Sequence, residues 1–362
     1  MGAAAPGLGD FFSQASFNTI NLNGTLTTDW LTMPHPESWY PSIGSLNGLS
    51  DADFTSLAQD CTSRIPKNVN MDPIKGINLL FNDLPGPYAY GGQGQQLTIN
   101  TVTRPWSLTW MPPWGYSVQP NYTGGQTVLA HEMGHAFGLH HFAGPTGTTY
   151  KNAWDVMSDT YANCSNATDS IHGCLGQHMI AFDKDFLGWI SPARKFTLAG
   201  IGQTLTFGAL ADANTPYMQI AVIPHTGTTT QFTTVEFRRR IGYDQKLVGD
   251  AIIIHEVDTT RSRSPAWVVA TMSGSTNGNE GAMFTAGMIY TVPNSGSVLV
   301  TVNAISGPTA SVTIEIPTPR PGPMPPARPG AAIPGAQPVT PGGSRSGGTI
   351  PGNPDPMPMG HR

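Results

Sequence analysis

The chain of 362 residues is long enough for two or three domains and more than one hydrophobic core, which excludes a single small disulfide-stapled module. Only 11% of its residues are charged, the formal net charge is −5, and the 18 Lys and Arg are scattered, so no basic surface for nucleic acid or anionic lipid is expected. No run approaches the roughly 18 to 20 consecutive apolar residues of a membrane-crossing helix. Low charge with plentiful Gly, Thr, Ser and Asn favours a secreted protein. Residues 1–7 lack the basic end and apolar run of an export signal, so 1–10 reads as a leader remnant or flexible N-terminus.

From residue 11 to 192 the pattern mixes strands with three helices, an α+β arrangement. Strands are expected over 25–33 (TLTTDWLTM) and 76–82 (GINLLFN). Helices are expected over 51–65, 125–138 and 176–187. In the first, Phe54, Leu57, Ala58, Cys61 and Ile65 recur at helical spacing behind a Ser50 cap. The third sets Met179, Phe182, Phe186 and Trp189 on one face and stops at Gly188.

Residues 193–316 change to short alternating or β-branched runs, such as Gln203-TLTFGAL, Ala251-IIIHEV and Ala310-SVTIEI, separated by turn residues. That pattern predicts an antiparallel β-sandwich domain. Trp267 and Tyr290 read as core residues, and the Arg238-Arg239-Arg240 run as a solvated or ion-paired strand end. Residues 317–362 hold 14 of the chain's 33 prolines and few apolar residues, the composition of a disordered Pro/Gly-rich tail. Of three cysteines, Cys164 and Cys174 stand ten apart in a polar loop and form the expected disulfide in an oxidising compartment, whereas Cys61 reads as a small buried apolar residue.

The chemistry is carried by Val128-LAHEMGHAFGLHHFAG. His131 and His135 are four apart, so on a helix both imidazoles project from one face and can share one metal ion. Glu132 follows the first ligand and can take a proton from metal-activated water. Gly138 can adopt the left-handed conformation that ends a helix and turns the chain back, delivering a third imidazole. Reach favours His141 over its neighbour His140. Three neutral imidazoles leave a tetrahedral zinc ion one vacancy, the arrangement of a catalytic site. A chance match to these five positions at this composition comes to roughly 1 in 10⁵.

The string His131-Glu-Met-Gly-His-Ala-Phe-Gly-Leu-His-His resembles the HExxHxxGxxH motif of the metzincin zinc metallopeptidases, and Trp154-Asp-Val-Met-Ser resembles their Met-turn. Ala181-FDKDFLGWI, Thr234-VEFRRRIGYDQKLVGDAIIIHEVD and the early Phe17-NTINLNGTLTTDWLTMP are similar to segments of the immune-inhibitor-A-like and gametolysin-like secreted peptidases. The resemblance covers about residues 11 to 316. It implies a metzincin-like catalytic domain with His131, His135 and His141 as zinc ligands, Glu132 as general base and Met157 as an apolar floor beneath the imidazoles. Several metzincins place a tyrosine two residues after that methionine; here the position is Asp159, and the nearest tyrosine, Tyr161, is the candidate for oxyanion stabilisation.

The expected function is therefore a secreted zinc endopeptidase acting on protein or peptide substrates. The competing expectations are a glycoprotein- or mucin-directed peptidase and an inactive binding or adhesion module on the same fold. Calcium also fits secreted peptidases of this kind. Asp155, Asp159 and Asp169 follow the zinc motif, but isolated aspartates in such loops read as turn formers and no site is assigned. His172, His178, His225 and His255 read as surface residues or as supports around the ligands.

Overall fold

The computed structural model describes residues 7–36, 39–40, 51–83, 89–117, 124–159, 168–271 and 280–317, a mixed α/β chain with few helices and several sheets. Its helices are α1 (Leu8–Ala15), α2 (Asp51–Ser63), α3 (Pro113–Tyr116), α4 (Gln126–Ala136) and α5 (Ala181–Phe186). The first helix corrects the expected flexible start, because Leu8, Phe11 and Phe12 are buried in the same cluster as Leu129 and Met133 of α4. Residues 8–10 thus belong to the fold, while 1–6 lie outside the described residues. Residues 318–362 of the Pro/Gly-rich tail lie outside the described residues.

Strands β1 (Gly76–Leu80), β2 (Tyr90–Ile99) and β3 (Val102–Met111) form one sheet in the order β1-β3-β2, with β1 parallel and β2 antiparallel to β3. Alternation along β3 sends Trp106, Leu108 and Trp110 into one cluster with Leu57 and Ala58 of α2. Helix α4 lies against β2 so closely that a Cβ on Gly91 would overlap the Glu132 carbonyl. The expected strand over 25–33 does not form: these residues join no ladder, and Leu26 and Trp30 are exposed rather than packed on a sheet face.

The third expected helix is cut to α5. Residues 176–180 form no helix, and two of their backbone donors serve side chains instead of a helical ladder: Gly176 N–H donates to Gln126 Oε1 and His178 N–H to Asp244 Oδ1, each at 2.9 Å. Gly188, with φ of 69°, does end the segment as expected, but Phe186 faces solvent.

A hairpin of β4 (Thr168–Asp169) and β5 (Gly173–Cys174) precedes two larger sheets. One joins β6 (Lys195–Thr197), β8 (Ile220–Pro224), β9 (Gln231–Arg238), β10 (Ala251–Asp258) and β11 (Ala266–Val268) in the order β11-β10-β9-β8-β6. The other joins β7 (Gln203–Gly208), β12 (Ile289–Thr291), β13 (Leu299–Ser306) and β14 (Thr309–Glu315) in the order β12-β13-β14-β7. Pairings are antiparallel except β6 with β8, which is parallel. Phe207, Val300 and Val312 of one sheet and Ile223, Phe237 and Ile254 of the other share a single apolar cluster. Each such side chain contributes about 1.5–3 kcal/mol on full burial.

These sheets are not hung on an open linker. Trp154, in the expected Met-turn, is buried among Leu247, Ala251, Ile253, Val268 and Ala282, while Ala181 and Ile190 pack on Leu210 and Ile220. The junction also holds charge. Arg238, expected on a solvated strand end, is fully buried, donating from Nε and Nη2 to Asp244 at 2.9 and 2.6 Å and from Nη1 to the Trp154 carbonyl at 2.5 Å. Arg239 and Arg240 do face Asp250 at the surface. Trp267 and Tyr290 are half-buried, with an Arg261 guanidinium over the indole ring.

Two predictions follow from this junction. Removing one partner of a fully buried ion pair strands the other, so Arg238→Ala should lower stability by about 3–5 kcal/mol in urea unfolding. His255 is fully buried, accepts a hydrogen bond from Asn152 at 3.1 Å, and has its pKa lowered by burial, and by the nearby Arg238, to about 3. In the unfolded chain it titrates near 6.5. Between those values the unfolded state binds the extra proton, so stability falls as pH drops from about 6.5 to about 3. Against His255→Gln, which does not titrate, the wild type should lose up to about 1.4 kcal/mol per pH unit across that window and change little above pH 7.

Candidate metal centre

Helix α4 begins after Gly125, whose φ of 111° and contact with the His172 carbonyl suit only glycine. It ends in a Schellman motif: Leu139 N–H donates to Gly134 O at 3.0 Å and Gly138 N–H to His135 O at 2.9 Å, with Gly138 left-handed at φ 95°. This turn carries the chain back across the end of the helix and brings His141 to the two helical histidines.

The three Nε2 atoms stand 3.1 Å (His131–His135), 2.9 Å (His135–His141) and 3.2 Å (His131–His141) apart. The opposite ring atoms explain how they are aimed. His131 Nδ1 lies 2.7 Å from the Val156 carbonyl and His135 Nδ1 2.7 Å from the Leu139 carbonyl. A carbonyl can only accept, so in both rings the proton sits on Nδ1 and the Nε2 lone pair faces the centre. Lone pairs gathered this closely repel unless a cation lies among them. The triangle suits an ion bound at roughly 2.0–2.1 Å from each nitrogen. The three histidines can hold a metal ion, and among the described residues they are the one His/Cys/Asp/Glu group close enough to do so.

Burial keeps the three imidazoles neutral. It lowers the His131 pKa to about 3, aided by the neighbouring His135 charge, and that of His135 to about 4; His141 is lowered further by burial and by the other two imidazoles. His140, the alternative third ligand, is exposed and outside the group. Glu132 is buried, and desolvation pushes its carboxyl up to about 8.

Met157 is fully buried, and its sulfur packs on Gly134, where a Cβ would overlap it. The turn that carries Met157 also supplies the Val156 carbonyl to His131. Asp155 braces the turn by accepting from Met157 N–H at 3.0 Å. Asp169 instead accepts from the Ile171 and His172 backbone at 2.8 Å, the turn-forming role expected of it, and Asp155, Asp159 and Asp169 form no cation group. Tyr161 and Cys164 lie outside the described residues; Cys174 is disulfide-bonded, and Cys61 is free, with burial pushing its thiol up to about 11. His178, His225 and His255 are buried rather than at the surface, and His178 stacks on Phe11 at 5.8 Å between ring centroids.

One residue at the centre was not anticipated. The Tyr150 hydroxyl lies 2.8 Å from His141 Nε2, and its ring centroid 4.6 Å from that of His141. In the sequence it is one tyrosine in a Gly/Thr-rich loop, with no motif to separate it from Tyr161. No family model matches the chain, and no curated protein matches it.

Because Gly134 lets the turn that carries Met157 approach α4, Gly134→Ala should displace Met157 and with it the Val156 carbonyl that orients His131. Metal affinity is expected to fall about 10- to 100-fold, read by competition with a chromophoric chelator. An unchanged affinity would show that the turn does not set the ligand geometry.

Proposed function

We propose that the chain is a secreted zinc-dependent endopeptidase of the metzincin type, in which a metzincin-like catalytic domain is followed by a β-sandwich. The observation that carries this reading is the convergence of three neutral imidazole nitrogens, with a buried carboxylate, Glu132, directly after the first of them in sequence. The donor set fits zinc: three nitrogens and no protein carboxylate or thiolate closing the fourth position is the pattern of a catalytic rather than a structural site. When bound, zinc would lower the pKa of a water toward ~7 and polarise a peptide carbonyl.

The remaining work falls to the chain. Glu132 would take the proton of the attacking water on its carboxylate and return it to the leaving amine. The Val156 and Leu139 carbonyls hold the imidazoles in one tautomer throughout. The packing of Trp154 on β10 and β11 supports a scaffolding role for the sheets, which is why the reading does not extend to glycan recognition. The disulfide at Cys174 supports an oxidising compartment.

Glu132→Ala should keep one metal per chain by elemental analysis yet lose peptide cleavage by about 10²–10⁴-fold, whereas His135→Ala loses metal and activity together. Mass-spectrometric profiling on a peptide library, with and without chelator, reads both. Undiminished cleavage by Glu132→Ala removes the general-base role, and cleavage by metal-free protein removes the enzyme class.

A further inference from the structure

The loop that leads from His141 to Tyr150 is seated on the β region. Ala143 is hydrogen-bonded to Ala266 and Val268 of β11 at 3.2 and 3.1 Å, and Thr149 Oγ1 lies 3.3 Å from Ser264 Oγ in the connection between β10 and β11. Gly147, with φ of 76°, lies against the Trp267 indole, where a Cβ would overlap the ring. The loop ends at Tyr150, whose hydroxyl is 2.8 Å from His141 Nε2. The β10–β11 connection, residues 259–265, therefore borders the metal centre although it belongs to the other half of the chain. Two cations stand on this border. Lys151 follows Tyr150 directly and Arg263 precedes Ser264; both are exposed, and neither side chain has an ion pair or hydrogen bond among the described residues. The neighbouring Arg261 is already engaged: its guanidinium lies 4.0 Å over Trp267, its Nε faces Asp258 at 4.0 Å, and its Nη1 donates to the Pro265 carbonyl at 3.4 Å. Asp258 in turn accepts from Gln231 and Thr260 as well.

We propose that Lys151 and Arg263 form a subsite for acidic side chains of the substrate, so that the β region contributes directly to substrate choice beside the metal centre. The inference rests on the peptidase reading above and names a substrate class within it: segments that carry Asp or Glu a few residues from the bond that is cut. An exposed cation without a protein partner stays hydrated until a carboxylate arrives, and Arg263 offers that carboxylate a planar fork of donors. The net charge of −5 repels acidic segments at long range, so a preference for them has to come from cations placed beside the opening.

The test uses the full zinc-loaded chain and labelled peptides amidated at the C-terminus, each carrying Glu or Gln at one position, so that only a side chain supplies the carboxylate. At one position the wild type is expected to cleave the Glu peptide about 3- to 10-fold faster in kcat/KM than its Gln twin, a ratio that high salt drives toward unity. Lys151→Gln combined with Arg263→Gln should abolish the preference, and Lys151→Glu combined with Arg263→Glu should turn it to Lys at that same position. On Glu132→Ala the same ratio is read as peptide affinity by fluorescence anisotropy, free of turnover. A wild type whose chelator-sensitive cleavage treats Glu and Gln alike at every position, or a double Gln variant that keeps the wild-type ratio, would overturn the subsite and leave the peptidase reading standing. A wild type that cleaves no peptide would overturn that reading and this inference with it.

Discussion

Everything at the centre depends on two hydrogen bonds that face away from it. By donating Nδ1–H to the carbonyls of Val156 and Leu139, His131 and His135 are left with their Nε2 lone pairs aimed at one point. Alone, that arrangement is electrostatically unfavourable, and burial worsens it by removing the water that could have protonated or solvated the rings. A cation turns each of these costs into a contribution to affinity. One of the two carbonyls belongs to the Schellman turn that ends α4, the other to the turn that carries Met157. The two chain reversals therefore set the site as much as the histidines do.

The sheets of residues 195–315 complete this constraint. Trp154, three residues before Met157, is buried among residues of β10, β11 and their connections, Arg238 of β9 holds the Trp154 carbonyl, and His255 of β10 meets Asn152. The segment after His141 is tied to β11 by Ala143, which donates to the Ala266 carbonyl at 3.2 Å and accepts from Val268 N–H at 3.1 Å. Positions that orient His131 and His141 are thus braced from the β region. The composition change near residue 193 marks a change of secondary structure across a continuous, partly charged packing surface.

Helix α4 and its exit were legible because they rest on local rules: a four-residue spacing puts two rings on one face, and Gly138 permits the left-handed cap. The strands of the β region were legible from alternation. What escaped the sequence was decided by partners far along the chain. Residues 176–180 would be helical by periodicity, but Asp244, Gln126 and Glu236 claim the backbone donors there and at Ala181. Residues 25–33 alternate like a strand and have no ladder to join. Arg238 looks like one of three surface arginines until Asp244 and Glu236 are seen beside it, buried to the same degree. Tyr150 lies at the centre through a loop closure that no spacing rule encodes.

The most direct test is X-ray absorption spectroscopy on zinc-loaded protein. A first shell with three imidazole nitrogens at roughly 2.0–2.1 Å and one zinc per chain is the expected result. Protein that stays metal-free under saturating zinc, or a spectrum with fewer than three imidazoles in the shell, would contradict the convergence on which the whole reading stands.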